Sequence, residues 1–272
     1  MNRFSPALRL LPLLVLAPAF ACAQAVPLAT TDGGELGLTL SNYAYEEGAG
    51  GNSTATQSGY KLGFQAAFSQ ALSQGWFWGG EARQAHGNVS HSSAVNGNKG
   101  GNPEVITEAR LTLGRDVPVG RQLLAFYSGL GYRTLYTDLR GLTTTGAQGY
   151  RRSGQYSYLP LGITHRFHAG PEARISTSLE YDLLLEGRQL TYLSDEKAVS
   201  NDPVNTQRQG YGLRLSTAYE TTSWSFGAYW HHWNIGESDA ALRTLGAGSS
   251  SLVTVPRNTS SEAGLQLKWR FY

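Results

Sequence analysis

Strict two-residue alternation of apolar and polar side chains, held over segments of ten residues and more, constrains this chain more than any other feature. Between Gln57 and Leu72, Tyr60, Leu62, Phe64, Ala66 and Phe68 fall on one face, and Lys61, Gly63, Gln65, Ala67 and Ser69 on the other. An extended strand sends successive side chains to opposite faces, so such a segment has one apolar and one polar side. The 3.6-residue period of an amphipathic helix is almost absent, and the chain reads as all-β.

The pattern recurs along the chain. The apolar faces are Leu36, Leu38 and Leu40; Trp76, Trp78, Gly80 and Ala82; Val105, Thr107, Ala109, Leu111 and Leu113; and Leu124, Phe126, Ser128, Leu130 and Tyr132. They continue with Leu159, Leu161, Ile163 and Phe167; Ile175, Thr177, Leu179, Tyr181, Leu183 and Leu185; Tyr211, Leu213, Leu215, Thr217 and Tyr219; Trp224, Phe226, Ala228 and Trp230; and Ala263, Leu265, Leu267, Trp269 and Phe271. None of these faces carries Asp, Glu, Lys or Arg. A charge facing lipid near the bilayer midplane costs roughly 2–4 kcal/mol, so a lipid-exposed surface should look like this. The opposite faces are polar and rich in glycine. A tilted strand crosses a bilayer in about 9–11 residues, a length these segments reach.

Connections alternate in length. Short links lie near Ser73-Gln74-Gly75, Val117 to Gly120, Ala169-Gly170-Pro171 and Glu220 to Thr222. Long polar links are expected as loops near 46–56, 90–103, 138–151, 188–206 and 236–260. Short turns on one side and longer loops on the other, with an even strand count, are the plan of an antiparallel transmembrane β-barrel. Ten strands fit without remainder; eight and twelve are the alternatives. Trp76, Trp78, Trp224 and Tyr219 fall beside the short links, as an interfacial aromatic girdle requires.

The first residues read as a signal peptide. Arg3 and Arg9 precede the apolar run Leu10 to Phe20, and Ala21-Cys22-Ala23 and Ala23-Gln24-Ala25 are both small-x-small cleavage sites. The expected processing is a leader at 1–23, with 25 as the second cleavage position, followed by a barrel over 24–272. Cys22, the single cysteine, leaves with the leader, which excludes thiolate chemistry and disulfides from the mature part. Loss of Arg3 and Arg9 from the 22 basic residues balances the 20 acidic ones, which argues against nucleic acid as a partner. No later stretch approaches the 18 apolar residues of a transmembrane helix.

The chain ends in Lys268-Trp269-Arg270-Phe271-Tyr272, an amphipathic strand closing on aromatics. In this, and in its strand pattern throughout, the sequence resembles the bacterial outer-membrane β-barrel class. Tyr272 is out of phase with the alternation. The resemblance implies residence in the outer membrane, contact with its lipids and lipopolysaccharide, and insertion by the barrel-assembly machinery. In size the chain is similar to the ten-stranded omptin proteases, whose mechanism uses paired aspartates and an Asp–His couple. No Asp-x-Asp or Asp-x-His occurs here, and no catalytic residue carries over. Outer-membrane phospholipase A and the lipid A deacylases share His-x-Ser-Asn. His91-Ser92-Ser93 matches that motif only in part, with Ala94 in the place of Asn.

The inward faces hold a candidate charge cluster: Glu81, Arg83, Glu108, Arg110, Arg133, Glu180, Asp182 and Arg214. Acids and bases are equal in number, so pairing can be complete and the lumen plugged. Buried charges persist where they are paired and hydrogen-bonded. Tyr229, His231 and Trp233 look inward together and are expected to form a ligand ledge at the barrel mouth. His231 and His232 sit on opposite faces of a strand and make a poor chelate, so no metal or other cofactor is expected. The function expected is non-enzymatic: a surface or envelope barrel that binds an extracellular ligand through its loops, a structural barrel, or a narrow channel for small solutes. A surface hydrolase, deacylase-like or omptin-like, is the alternative.

Overall fold

The computed structural model describes residues 26–49, 52–196, 201–245 and 248–272. The expected signal peptide and Cys22 lie outside them. In chain order the strands are β1 (Gly33–Ala49), β2 (Asn52–Ala71), β3 (Trp76–Ser93), β4 (Gly97–Val119), β5 (Gln122–Leu142), β6 (Gln148–His168), β7 (Arg174–Tyr192), β8 (Val204–Gln207), β9 (Gly210–Glu220), β10 (Trp224–Ile235), β11 (Ala241–Thr244), β12 (Ser250–Val253) and β13 (Asn258–Phe271).

Ten of these close into an antiparallel barrel: β1 to β7 pair in sequence, then β7 with β9, β9 with β10, β10 with β13, and β13 back to β1. The closing seam sets Leu36 against Trp269, Leu38 against Leu267 and Leu40 against Leu265, so the alternation of first and last strands stays in phase. Closure satisfies the backbone hydrogen bonds that an open sheet leaves at its edges. Eight and twelve strands are thereby excluded.

The apolar faces point outward. Leu38, Leu62, Leu111 and Leu130 are each more than half exposed, and the aromatics Trp76, Trp78, Trp224 and Trp269 ring the end that carries the short turns, here the lower end. Tyr60, Tyr132, Tyr181 and Trp230 form the opposite edge of the belt. Along β3 the outward face changes from Trp76, Trp78, Gly80 and Ala82 to Gln84, His86, Asn88, Ser90 and Ser92, while the neighbouring β2 stays apolar up to Tyr60, opposite Asn88.

Above that edge the structure corrects the sequence reading. Of the segments expected as loops, 46–56, 90–103 and 138–151 are largely strand, and 188–206 and 236–260 contain short strands. Glu47 pairs with Ala55, His91 with Lys99 and Leu142 with Gln148, while β8 pairs with β7, and β11 with β12. The link between β3 and β4 is a turn at 94–96 followed by Gly97 in the left-handed region (φ 78°) that glycine tolerates. The reason is physical. Strands wetted on their outer face, with apolar and polar groups mixed on the inner one, lose the apolar alternation but keep the ladder.

Candidate functional site: the barrel lumen

The inward side chains of β3, β4, β7, β9 and β13 meet in the middle of the lumen. Arg214 is the hub. Its Nε lies 2.6 Å from Asp182 Oδ2 and 3.2 Å from Glu180 Oε1, and its Nη1 donates to Glu108 Oε2 at 3.1 Å. Tyr158 Oη donates to Glu108 Oε1 at 2.6 Å and accepts from Arg214 Nη2 at 3.1 Å. Arg83 binds Glu262 through both terminal nitrogens and has its Nε 3.3 Å from Glu108 Oε2. Glu262 also accepts from Ser41 Oγ at 2.9 Å and Tyr229 Oη at 2.8 Å. Arg110 Nη1 holds both oxygens of Glu180 at 2.6 Å, and its Nη2 reaches Glu81 at 3.2 Å.

The eight charged residues read from the sequence are therefore gathered in one place. Seven share ion pairs. Arg133 is the exception: it is buried, and its guanidinium lies over the Trp233 ring, 5.4 Å from the centroid, with no carboxylate partner among the described residues. Because Arg214 and Glu108 belong to strands on far sides of the wall, the network crosses the lumen instead of lining it. Glu108, Glu180, Asp182, Arg83, Arg214 and Glu262 are all nearly inaccessible to solvent. Pairing and hydrogen bonds of this kind offset the cost of taking such charges out of water.

Above this layer the lumen is filled. Tyr156, Tyr158, Leu184, Trp233 and Ile235 form one buried cluster, and Tyr43, Tyr45, Val89 and Ile106 a second. Of the expected ligand ledge, Trp233 is packed into the first cluster, while Tyr229 and His231 line the cavity below it. Trp233 stands edge-on to Tyr158 at 5.2 Å and stacks with Tyr156 at 6.3 Å, with Arg133 and Arg214 over its ring. Tyr229 is bound to Glu262, and His231 packs 4.9 Å from the Tyr229 ring. His232 points outward, its Nδ1 2.8 Å from Ser261 Oγ.

Sequence reasoning missed Glu262, which lies on β13 opposite His231 of β10 and Tyr43 of β1, although its inward position follows from the alternation of β13. It also missed the buried pair Lys61–Glu104, 2.6 Å apart, whose carboxylate is shared with Thr137 Oγ1 at 2.8 Å. Below the charge layer is a vestibule of about 290 Å³, walled by Ser, Thr and paired charges and reaching the lower end.

The partial His-x-Ser motif sits at the top of β3. Ser93 Oγ donates to Thr54 O at 3.0 Å and accepts the N–H groups of Val95 and Asn96 at 3.3 Å each. Its hydroxyl caps a turn. Burial, followed by the Arg152 charge, pushes the His91 imidazole below its usual pKa, so it is neutral, but no hydrogen bond joins it to Ser93. Among the described residues, no three His, Cys, Asp or Glu side chains could hold a metal.

No family model matches the sequence, and no curated protein is significantly similar to it. The structure is similar to the outer membrane protease OmpT of Escherichia coli, at 12% identity and a TM-score of 0.58, over 88% of this chain and 96% of that one. It also matches the translocator domain of the autotransporter NalP from Neisseria meningitidis (11% identity, 89% of each chain, TM-score 0.44). A third match is an outer membrane channel from Pseudomonas putida F1 (12% identity, 94% of this chain and 100% of that one, TM-score 0.42). The chain has the ten-stranded fold of the outer-membrane β-barrel class. At 12% identity the likeness to OmpT shows that fold and nothing of activity.

Proposed function

We propose that this protein is an integral barrel of the outer membrane whose lumen is closed and whose work is done by the strands and hairpins above the apolar belt. In this reading the short turns face the periplasm. The outer wall contacts membrane lipids, including lipopolysaccharide in the outer leaflet, and the barrel-assembly machinery inserts the chain. The upper hairpins form a surface that binds an extracellular ligand or stiffens the envelope. The observation that carries the reading is the cross-lumen network of Arg214, Glu108, Arg83 and Glu262, roofed by Trp233 and Tyr158. A ten-stranded barrel is only slightly wider than the eight-stranded kind that side chains fill, so one such layer suffices to block it.

The length of the upper strands supports the surface role. From Asn88, which pairs with Tyr60 at the edge of the belt, to Ser93, at about 3.3 Å per residue, roughly 17 Å of strand continues past the apolar belt. The reading is non-enzymatic: the hydroxyl of Ser93, in the partial His-x-Ser motif, is committed to a turn. The experiment is swelling of liposomes carrying the refolded protein in iso-osmotic arabinose. Swelling at the rate of protein-free liposomes is expected, and fast swelling would favour a channel.

A further inference from the structure

The segment 26–32 crosses the lower mouth of the barrel from β1 toward β6 and β7 on the opposite wall. It is not an extension of the sheet: among the described residues, no backbone–backbone hydrogen bond joins it to the ladder. Instead, side chains from four strands hold its main chain. Arg174 Nη1 donates to Pro27 O, and Arg166 Nη1 donates to Leu28 O at 3.2 Å. Asp116 Oδ2 accepts the Thr30 N–H at 2.5 Å, and Ser69 Oγ donates to Thr31 O at 2.7 Å.

The gripping groups are themselves fixed. Arg174 is anchored on Glu220, 2.7 Å away, and Arg166 lies 3.4 Å from Asp116. Each guanidinium thus keeps a donor aimed at a carbonyl of the segment. Apolar contacts add direction: Leu28 packs on Phe77, Leu123 and Ala125, and Val26 is buried, while the alternate residues Pro27 and Ala29 face solvent. Main-chain groups held by side chains, with pockets for alternate residues, are how a protein recognises an extended peptide.

We propose that the lower mouth is a peptide-binding site, formed by Ser69, Asp116, Arg166 and Arg174, in which segment 26–32 is the ligand held in cis. An extended peptide supplied in trans, with an aliphatic side chain at the Leu28 position, occupies the same site and displaces the segment from the vestibule entrance. The inference does not depend on which membrane or which side the mouth faces.

The test uses the refolded full chain carrying Cys22→Ala and Ala29→Cys, so that the exposed position 29 holds the only thiol for an environment-sensitive dye. The synthetic peptide Val-Pro-Leu-Ala-Thr-Thr-Asp is then titrated, and dye emission and iodide quenching are read. A tethered ligand competes at an effective concentration in the millimolar range, so displacement should need millimolar peptide. Adding Leu28→Ser to the chain should lower the midpoint about tenfold, because burial of a leucine side chain is worth at least that factor. The same peptide with Ser in place of Leu should displace at least tenfold more weakly. Dye emission unchanged by peptide in both chains, or equal displacement by the Leu and Ser peptides, would overturn the proposal.

Discussion

Arg214 on β9 and Glu108 on β4 form a two-pronged ion pair across the width of the lumen, each residue almost completely buried. Neither strand neighbours the other in the sheet, so this contact ties opposite walls together. Replacing Arg214 with Leu would leave Glu108 and Asp182 buried without their shared cation. Removing one partner of a buried pair costs about 3–5 kcal/mol, and a loss of that size in urea unfolding from lipid bilayers is expected. Arg214→Lys should recover only part, since one ammonium cannot replace a fork that reaches three carboxylates and Tyr158. An unchanged unfolding midpoint in Arg214→Leu would mean that these groups are solvated.

The upper rim should respond to acid at one identifiable place. The Arg151 side chain donates to Asp195 at 2.9 and 2.8 Å, and its backbone N–H does so at 3.0 Å. These hydrogen bonds hold the Asp195 carboxyl below its usual pKa. A depressed carboxylate pKa stabilises the folded state above the unfolded value, about 3.9, and that contribution is lost as the pH falls through the lower folded value. The turn at 193–195 should therefore stay docked on β6 at pH 5 and release only at a pH below the ordinary carboxylate value. Hydrogen-exchange protection of the Glu196 amide, which donates to Leu193 O, reads this directly. Asp195→Asn should lower that protection already at neutral pH; equal protection in both proteins would contradict the assignment.

The topology predicts which insertions reach the cell exterior. Asn98 and Thr144 bind each other across neighbouring hairpins, so tags are better placed after Val95, which is 81% exposed, and at Gly146 and Gly248, which have no neighbours within 4 Å of a built Cβ. Antibody should reach all three on intact cells. A tag at Gly170, in a lower turn, should be reached only after the outer membrane is permeabilised. The reverse pattern would invert the orientation.

Ser93 should matter for folding and not for chemistry. Ser93→Ala removes a hydroxyl that serves Thr54, Val95 and Asn96, and loss of such a cap costs about 1 kcal/mol. Assays with phospholipid, lipid A and peptide substrates, with and without calcium, should show no turnover before or after the change. Turnover abolished by both His91→Ala and Ser93→Ala would restore the hydrolase reading.

The wall of the barrel could be read from the sequence because lipid imposes one rule on every outward position. Leu36 through Phe271 obey it, and the structure turns each of these faces outward. The inward charges were legible for the same reason, by exclusion. Their partners were not. Arg133 lies in register beside Glu108, yet the carboxylate goes to Arg214 and Arg83 while Arg133 turns to Trp233. Strand pairing sets neighbours along the wall, whereas a narrow lumen lets long side chains choose partners across it. The upper hairpins were hidden because their outer faces turn polar, so Ser90 to Asn102 show no alternation from which to infer a ladder. The lower segment was hidden too, since Val26 to Asp32 has no periodicity and is held by side chains far away in sequence.

Single-channel recording of the refolded protein in planar lipid bilayers tests the closed lumen most directly. A lumen crossed by Arg214, Glu108, Arg83 and Glu262 and packed above with Tyr158 and Trp233 should give no conductance steps above the baseline of the bare bilayer. Regular steps of uniform size, proportional to voltage and present in every insertion, would show that ions pass the network and would contradict the account.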